Sequence, residues 1–214
     1  SLNTWTQTAT NMTSPRFNHT ATLVRNAAAT VVLICGGQTA DAPTVSATCD
    51  AFDIAAGNFT GSIYATMWAA RAGHTANVLP DGQRVFVAGG WNPAAGAPGY
   101  LNTTEVFSAG SFLSATPLGQ GRAFHTATVM GDGRVFIAGG SDGRNDAARK
   151  ESRGFLSSTE IFDPVGGGMV YARPMFVRRM GHTAALNSSG VLSVFGGLGN
   201  ITTSYIDSVN ATLL

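Results

Sequence analysis

The four histidines are the residues of this chain best suited to chemistry, because imidazole binds metal ions and exchanges protons near neutral pH. Each histidine lies in the same motif, with an arginine three positions before it and a Thr-Ala pair directly after it. The motifs contain Arg16 and His19, Arg71 and His74, Arg122 and His125, and Arg179 and His182. A ring of four imidazoles would bind a metal ion, so the motif is either a metal site or a repeated structural contact.

The spacing of the motif favours the structural interpretation. Successive histidines are separated by 55, 51 and 57 residues, and a Gly-Gly pair follows each histidine after 14 to 17 residues. The pairs are Gly36-Gly37, Gly89-Gly90, Gly139-Gly140 and Gly196-Gly197. A catalytic site takes unlike residues from unlike repeats, whereas a contact needed in every repeat recurs at one position. We therefore predict that the motif residues are structural, and we predict no catalytic residue, no metal site and no cofactor.

Each repeat has the pattern of four short β-strands. The first strand follows the histidine, as in residues 125–130, and the second is an apolar run ending in Gly-Gly, as in residues 134–140. Such a run is typical of a strand buried on both faces of its sheet. Third strands are predicted at 49–53, 104–108, 159–163 and 204–207, and fourth strands begin at Trp5, Phe59, Phe112 and Met169. No segment has a convincing helical period, so the predicted fold class is all-β.

Four-stranded sheets that recur at this spacing, each burying both faces, describe a β-propeller. The predicted units occupy residues 16–67, 71–118, 122–175 and 179–214, and residues 1–12 contribute a last-strand segment. Residues 1–214 are therefore predicted to form a single propeller region with four four-stranded blades. Its final residues, 208–213, correspond to the last-strand segment with which it begins.

The repeat resembles kelch repeats over essentially the whole chain. The residues that carry the resemblance are the Gly-Gly pair after an apolar strand, the segment Thr159–Pro164 (TEIFDP) and the aromatic residue in the last strand. The sequence of residues 122–140 is most similar to the kelch blades of the galactose oxidase and glyoxal oxidase group. The resemblance implies a kelch-type propeller in which the histidine strand lines the central channel.

The same resemblance raises the possibility of a copper oxidase, whose site is formed by two tyrosines, two histidines and a cysteine-linked tyrosine. This sequence argues against that activity. All four histidines belong to the repeat, no Tyr-His pair exists, and both cysteines lie in one unit. A remnant of such an oxidase is the least favoured of three functional classes.

The number of blades has two interpretations. In a closed four-bladed ring, the strand containing Trp5 would complete the fourth unit. Alternatively, the chain is a portion of a six- or seven-bladed ring, as the kelch resemblance implies. We favour the second interpretation, in which the open ends expose strand edges that further blades or copies of the chain would cover.

The compartment is indicated by asparagine. Seven of the twelve asparagines begin an Asn-x-Ser/Thr triplet, whereas the Ser and Thr content predicts about two by chance. The candidate glycan acceptors are Asn11, Asn18, Asn58, Asn102, Asn187, Asn200 and Asn210. Because this triplet is the acceptor in secreted proteins, we predict a secreted or cell-surface glycoprotein rather than a Thr-rich protein with accidental matches.

The two cysteines agree with this compartment. Cys35 ends the second strand of the first unit and Cys49 begins its third strand, and these strands are expected to be antiparallel neighbours. A disulfide between them would stabilise the fold by about 3 kcal/mol in the chain-entropy estimate. The alternative is two buried thiols in a cytosolic propeller.

Composition excludes some partners. Charged residues make up 12% of the chain and the net charge is +1, so no electrostatic footprint for nucleic acid is present. No apolar run approaches the length of a membrane span.

The candidate binding residues lie in the loops between second and third strands. Residues 91–101 offer Trp91 and Tyr100, and residues 141–155 offer four cations. These cations are Arg144, Arg149, Lys150 and Arg153. Because strand direction alternates, these loops share one face with the segments that enter the histidine strands. We expect a noncatalytic extracellular binding or assembly module that recognises protein or glycan there; the alternatives are a coat or filament glycoprotein and loops without a ligand.

Overall fold

The computed structural model describes residues 6–25, 29–39, 44–96, 99–144 and 154–199, together with the backbone of residues 209–211. The fold is all-β, as predicted: the strands form antiparallel sheets, and the helical structure of these residues is limited to one 3₁₀ turn, Pro93–Ala95. None of the helical structure in these ranges is long and apolar enough to cross a membrane.

The first two units have the predicted strand order. The strands of the first unit are β1 (Arg16–Phe17), β2 (Thr20–Arg25), β3 (Thr30–Cys35), β4 (Gln38–Thr39), β5 (Thr48–Asp53), β6 (Asn58–Phe59) and β7 (Ala65–Thr66). The strands of the second unit are β8 (Thr75–Val78), β9 (Val85–Ala88), β10 (Thr104–Ser108) and β11 (Ser111–Ala115). The main sheets run β2-β3-β5-β6, with β7 also on β5, and β8-β9-β10-β11.

The third unit repeats this plan, and the fourth is described in part. The strands of the third unit are β12 (Thr126–Val129), β13 (Val135–Ala138), β14 (Thr159–Phe162) and β15 (Met169–Ala172). The strands of the fourth unit are β16 (Arg179–Met180), β17 (Thr183–Leu186), β18 (Leu192–Phe195), β19 (Leu198–Gly199) and β20 (Val209–Ala211). The fourth strands at Phe59, Phe112 and Met169 are present where predicted.

Strand β20 lies where the sequence led us to expect a different strand. The third strand of the fourth unit was predicted at 204–207, which lies outside the described residues, and 208–213 was matched to a last strand. Val209–Ala211 instead pairs with β18, which is the position of a third strand. A short segment of this composition fits either strand position, so the strand with which it pairs determines its position in the sheet.

Turn residues set the hairpin between the first and second strands, as the third unit shows. In the third unit Gly133 has φ +88°, and the Asp132 carboxylate accepts a hydrogen bond from the backbone N–H of Arg134 at 3.0 Å. Glycine adopts positive φ at no steric cost, and aspartate caps the turn by bonding the backbone two residues on.

The core consists of apolar clusters between successive sheets. In β9, Val85 and Val87 pack toward the first unit, whereas Phe86 and Ala88 pack toward the third. The rings of Phe86 and Phe162 stack with centroids 4.0 Å apart. Because the second strands of the second and third units have a neighbouring sheet on both faces, their sequences are apolar without alternation.

The sheets follow one another in chain order. The first strands β2, β8, β12 and β17 pack side by side in that sequence. In the part of the chain that the structure describes, β2 and β17 do not pack against each other as the neighbouring first strands do. The row of four sheets therefore has two ends.

The segment before the first motif lies against the first unit. The backbone N–H of Ala9 donates to Asn58 Oδ1 at 2.8 Å, and the Thr10 hydroxyl donates to the Phe59 carbonyl at 2.7 Å. Residues 6–12 form no strand. Trp5, the predicted strand residue, lies outside the described ranges.

Candidate functional site

A buried ion pair accompanies each of the first three histidine motifs. The motif arginine pairs with an acidic residue near the start of the third strand of its own unit. The pairs are Arg16 with Asp50, Arg71 with Glu105, and Arg122 with Glu160, at 2.6, 2.6 and 2.7 Å. Sequence reasoning missed these carboxylates, although an acid at the same position of three third strands was a usable signal.

Further hydrogen bonds anchor both members of each pair, as the third unit shows. Arg122 Nη1 donates to the carbonyls of Gly139 at 2.8 Å and Ser158 at 3.0 Å, and Glu160 accepts the Gly119 N–H at 2.7 Å. Burial lowers the pKa of Arg122, and the Glu160 carboxylate opposes that shift. A buried ion pair withstands its desolvation cost only with such additional bonds, so these groups fix the second and third strands and the preceding segment together.

Each of the last three histidines joins its unit to the unit before it. The ring Nε2 of His74, His125 and His182 is hydrogen-bonded to a threonine hydroxyl at the start of the preceding unit's first strand. These threonines are Thr20, Thr75 and Thr126, at 3.0, 2.9 and 2.9 Å.

Burial keeps these imidazoles neutral. Desolvation, reinforced by the nearby guanidinium of Arg71, lowers the pKa of His74 to about 3. Desolvation together with the charge of Arg179 lowers the pKa of His182 to about 4, and burial also holds the pKa of His125 well below its ordinary value. At neutral pH the rings therefore act as uncharged hydrogen-bonding groups.

The backbone of each of the first three Gly-Gly pairs is hydrogen-bonded to the backbone of the next unit's motif arginine. The second glycine N–H donates to that arginine's carbonyl oxygen, from Gly37 to Arg71 at 2.9 Å and from Gly140 to Arg179 at 2.8 Å. The first glycine has positive φ, and a Cβ on Gly139 would lie 2.7 Å from the Arg179 carbonyl oxygen. Glycine is required here because the two backbones approach so closely.

In the fourth unit the motif arginine has a different environment. Arg179 is fully buried, and its Nη1 donates to the Gly196 carbonyl at 2.9 Å. Its Nη2 atom has no hydrogen-bond partner among the described residues, whereas Nη2 of Arg122 donates to Glu160; the Nε atoms of Arg122 and Arg179 both lack a described partner. By strand register, Val209 occupies the position that Glu160 has in the third unit, since Val209 is opposite Val194 as Glu160 is opposite Ile137.

The predicted binding loops of the second and third units meet. Trp91 pairs through its backbone with Ala72 and with Tyr100, which ties the loop to the segment entering its histidine motif. The ring of Tyr100 lies on Gly143 of the third unit, where a Cβ would overlap it. Sequence reasoning did not find Gly143, because its role depends on a neighbouring unit.

An exposed cation lies next to this contact. The Arg144 side chain is 75% exposed, and its Nε is 3.7 Å from Asp142 Oδ2. Asp142 is buried and also accepts a hydrogen bond from Gln120 at 2.8 Å, which anchors the loop. We call Trp91, Tyr100, Asp142, Gly143 and Arg144 the loop face. The other predicted cations, Arg149, Lys150 and Arg153, lie outside the described residues.

The remaining predicted residues are the two cysteines and the candidate glycan acceptors. Cys35 and Cys49 form the predicted disulfide, directly opposite each other in β3 and β5. Of the candidate glycan acceptors, Asn58 is half-buried and four are exposed, namely Asn11, Asn18, Asn102 and Asn187. Asn200 lies outside the described residues, and only the backbone of Asn210 is described. Within the described ranges, no three His, Cys, Asp or Glu residues are grouped so that they could hold a metal ion.

Comparison with known proteins adds no relative: no family model matches the chain, and no curated protein matches it. The class is therefore defined by the fold and by the contacts between its units. It is an all-β repeat protein whose antiparallel sheets are compatible with a β-propeller.

Proposed function

We propose that the chain is part of a kelch-type β-propeller in a secreted or cell-surface glycoprotein, and that it acts as a noncatalytic binding or assembly module. Its ligand is a protein or a glycan, bound at the loop face. The observation that carries the proposal is the seating of the Tyr100 ring on Gly143, beside the exposed Arg144. An aromatic ring and a cation held on a rigid scaffold are suited to stacking on a sugar or anchoring a partner.

The noncatalytic role is supported by how the polar groups of the core are used. The buried histidines bond threonines of neighbouring units, and three of the four motif arginines bond carboxylates. The loop face, by contrast, combines half-buried aromatic residues with a solvent-exposed guanidinium. Recognition on variable loops of a rigid scaffold is the common arrangement.

An array of defined oligosaccharides and purified extracellular proteins tests the proposal. We expect the wild-type chain to bind at least one probe. Trp91→Ala, or neutralisation of the four cations between residues 144 and 153, is expected to weaken binding about tenfold or more, as loss of a binding hot spot does. The urea midpoint should change little, because neither change removes a buried contact of the described core.

Matched controls are available elsewhere on the chain. Tyr171 is an exposed aromatic residue on β15, and Arg84 and Arg134 are partly exposed cations in hairpin turns at the other end of the strands. Tyr171→Ala and the Arg84→Gln/Arg134→Gln double variant are expected to bind as the wild type does. Equal binding by the loop-face variants and by the wild type would refute the assignment of this face.

A further inference from the structure

The three described junctions between units share one construction. At each, the histidine of one unit bonds the threonine of the unit before it, and the second glycine of the earlier unit bonds the arginine carbonyl. A third bond links the residues directly before the histidines: the N–H groups of Gly73, Phe124 and Gly181 donate to the carbonyls of Asn18, Gly73 and Phe124.

Within the described residues, the fourth unit presents one half of the same junction without a partner. Thr183, which corresponds to Thr126, is exposed. Gly196 has φ +63°, as the other first glycines do, but a Cβ built on it meets nothing within 4 Å. In the described part of the chain, no residue bonds the Gly197 N–H or the Gly181 carbonyl.

The first unit presents the other half. His19 is exposed, whereas His74 and His125 are each 6% exposed. Among the described backbone hydrogen bonds outside the strand ladders, none involves the Asn18 N–H or the Arg16 carbonyl, and no described side-chain hydrogen bond involves the His19 ring.

The outward sheet face of the first unit is also apolar and incompletely covered. Val32, Phe52 and Phe59 are only partly buried, and Leu23 is 38% exposed. Their counterparts by register in the second unit pack on the preceding sheet. These counterparts are Val85, Phe107 and Phe112, which are 1%, 2% and 4% exposed, and Val78. At the other end, Phe195 of β18 is 42% exposed.

We propose that the fourth-unit end docks the first-unit end of a second copy of this chain. His19 of one copy bonds Thr183 of the other, the Arg16 carbonyl accepts the Gly197 N–H, and the Asn18 N–H donates to the Gly181 carbonyl. The interaction is head-to-tail, so two copies that use both ends close a ring of eight sheets, and copies that do not close form a filament. This inference deepens the assembly role within the proposed function and does not involve the loop face.

Asn18 makes the junction sensitive to glycosylation. It corresponds to Gly73, on which the Phe124 ring of the next unit lies, and to Gly181. A glycan on Asn18 would therefore project into the proposed junction and obstruct it. For this reason the experiment uses the wild type in parallel with Asn18→Gly, which cannot carry a glycan and tolerates the φ of +54° at this position.

Sedimentation velocity over a concentration series tests the proposal on the Asn18→Gly chain. We expect a concentration-dependent dimer or larger assembly, weakened at least tenfold by Thr183→Val and by Gly196→Ala. The control is Gly190→Ala, which introduces the same kind of residue at φ +79° in open space in the same unit. It is expected to assemble normally. A monomer at all concentrations, or assembly that survives Thr183→Val and Gly196→Ala, overturns the proposal.

A mixing experiment separates head-to-tail docking from other self-association. Gly196→Ala damages only the fourth-unit end, and His19→Ala damages only the first-unit end. Each variant alone is expected to be monomeric, while their mixture forms a dimer with one intact junction. A mixture that stays monomeric overturns the proposal. Because this readout uses no external ligand, its failure is independent of the array experiment on the loop face.

Discussion

The third and fourth units carry the same motif in different surroundings. Arg122 and Arg179 are both fully buried, yet only Arg122 has a described carboxylate partner, Glu160. Gly139 is closed against the next unit, whereas Gly196 is open. The comparison teaches that the motif supplies only one partner of each contact. The other partner comes from the third strand, as the carboxylate does, or from the next unit.

The largest expected effect comes from breaking the ion pair of the third unit. Arg122→Met leaves Glu160 buried without its cation, which is expected to lower the free energy of unfolding by about 3–5 kcal/mol. Arg179→Met leaves no described carboxylate unpaired, so its cost is expected to be about 1 kcal/mol, the worth of one hydrogen bond. Urea denaturation measures both.

One further substitution would break this comparison. Asp207 is the nearest acidic residue along the chain to β20 and lies outside the described residues. If Asp207→Asn and Arg179→Met each cost as much as Arg122→Met, the fourth unit has an ion pair of its own, and the contrast with the third unit is wrong.

The glycine comparison should give the next largest difference. Gly139→Ala would place a methyl group 2.7 Å from the Arg179 carbonyl oxygen and 2.8 Å from the His182 ring, at φ +63°. We expect a loss of about 3 kcal/mol, of which about 1 kcal/mol is backbone strain. Gly196→Ala has the same φ and no contact, so it should show the strain alone. Thermal unfolding at low protein concentration provides the measurement. Equal losses of stability in the two variants would contradict the inference that Gly196 lies at an uncovered end of the row of sheets.

A dependence of stability on pH is expected as well. In the unfolded chain His74 and His182 titrate near pH 6.5, whereas folding lowers their pKa to about 3 and about 4. The unfolded state therefore binds more protons below pH 6.5, and stability falls as the pH decreases from 6.5 toward 4. Urea midpoints between pH 8 and pH 5 should be constant above about 6.5 and decline below it.

A variant sharpens this test. His74→Gln removes one of the titrating groups, so its midpoint should decline less steeply with pH than that of the wild type. An unchanged slope would show that the junction histidines do not control the acid response.

Much of the scaffold was predictable from local patterns. The second strands of the second and third units are uninterrupted apolar runs, as in residues 135–140, which is the pattern of a strand buried on both faces. The position of the disulfide followed from Cys35 and Cys49 lying at the ends of adjacent antiparallel strands. The fourth strands were marked by a bulky apolar residue, as at Phe112.

The partners of the candidate residues were less predictable. The hydrogen bond between Thr75 and His125 joins residues 50 positions apart, and the local sequence around either residue does not predict its partner. The Tyr100 ring lies on Gly143 through the packing of two units. The third-strand position of Val209–Ala211 depends on pairing with β18, since its short sequence fits more than one strand.

By itself, the sequence determined the all-β class, the period of the repeat and which residues recur in it, because apolar runs and glycines act through the local backbone. Only the tertiary structure decided that Glu160 neutralises Arg122 inside one unit, and that each junction histidine reaches into the unit before it. The physical reason is that burial removes water from these polar groups, and which group replaces the water depends on the neighbouring sheet.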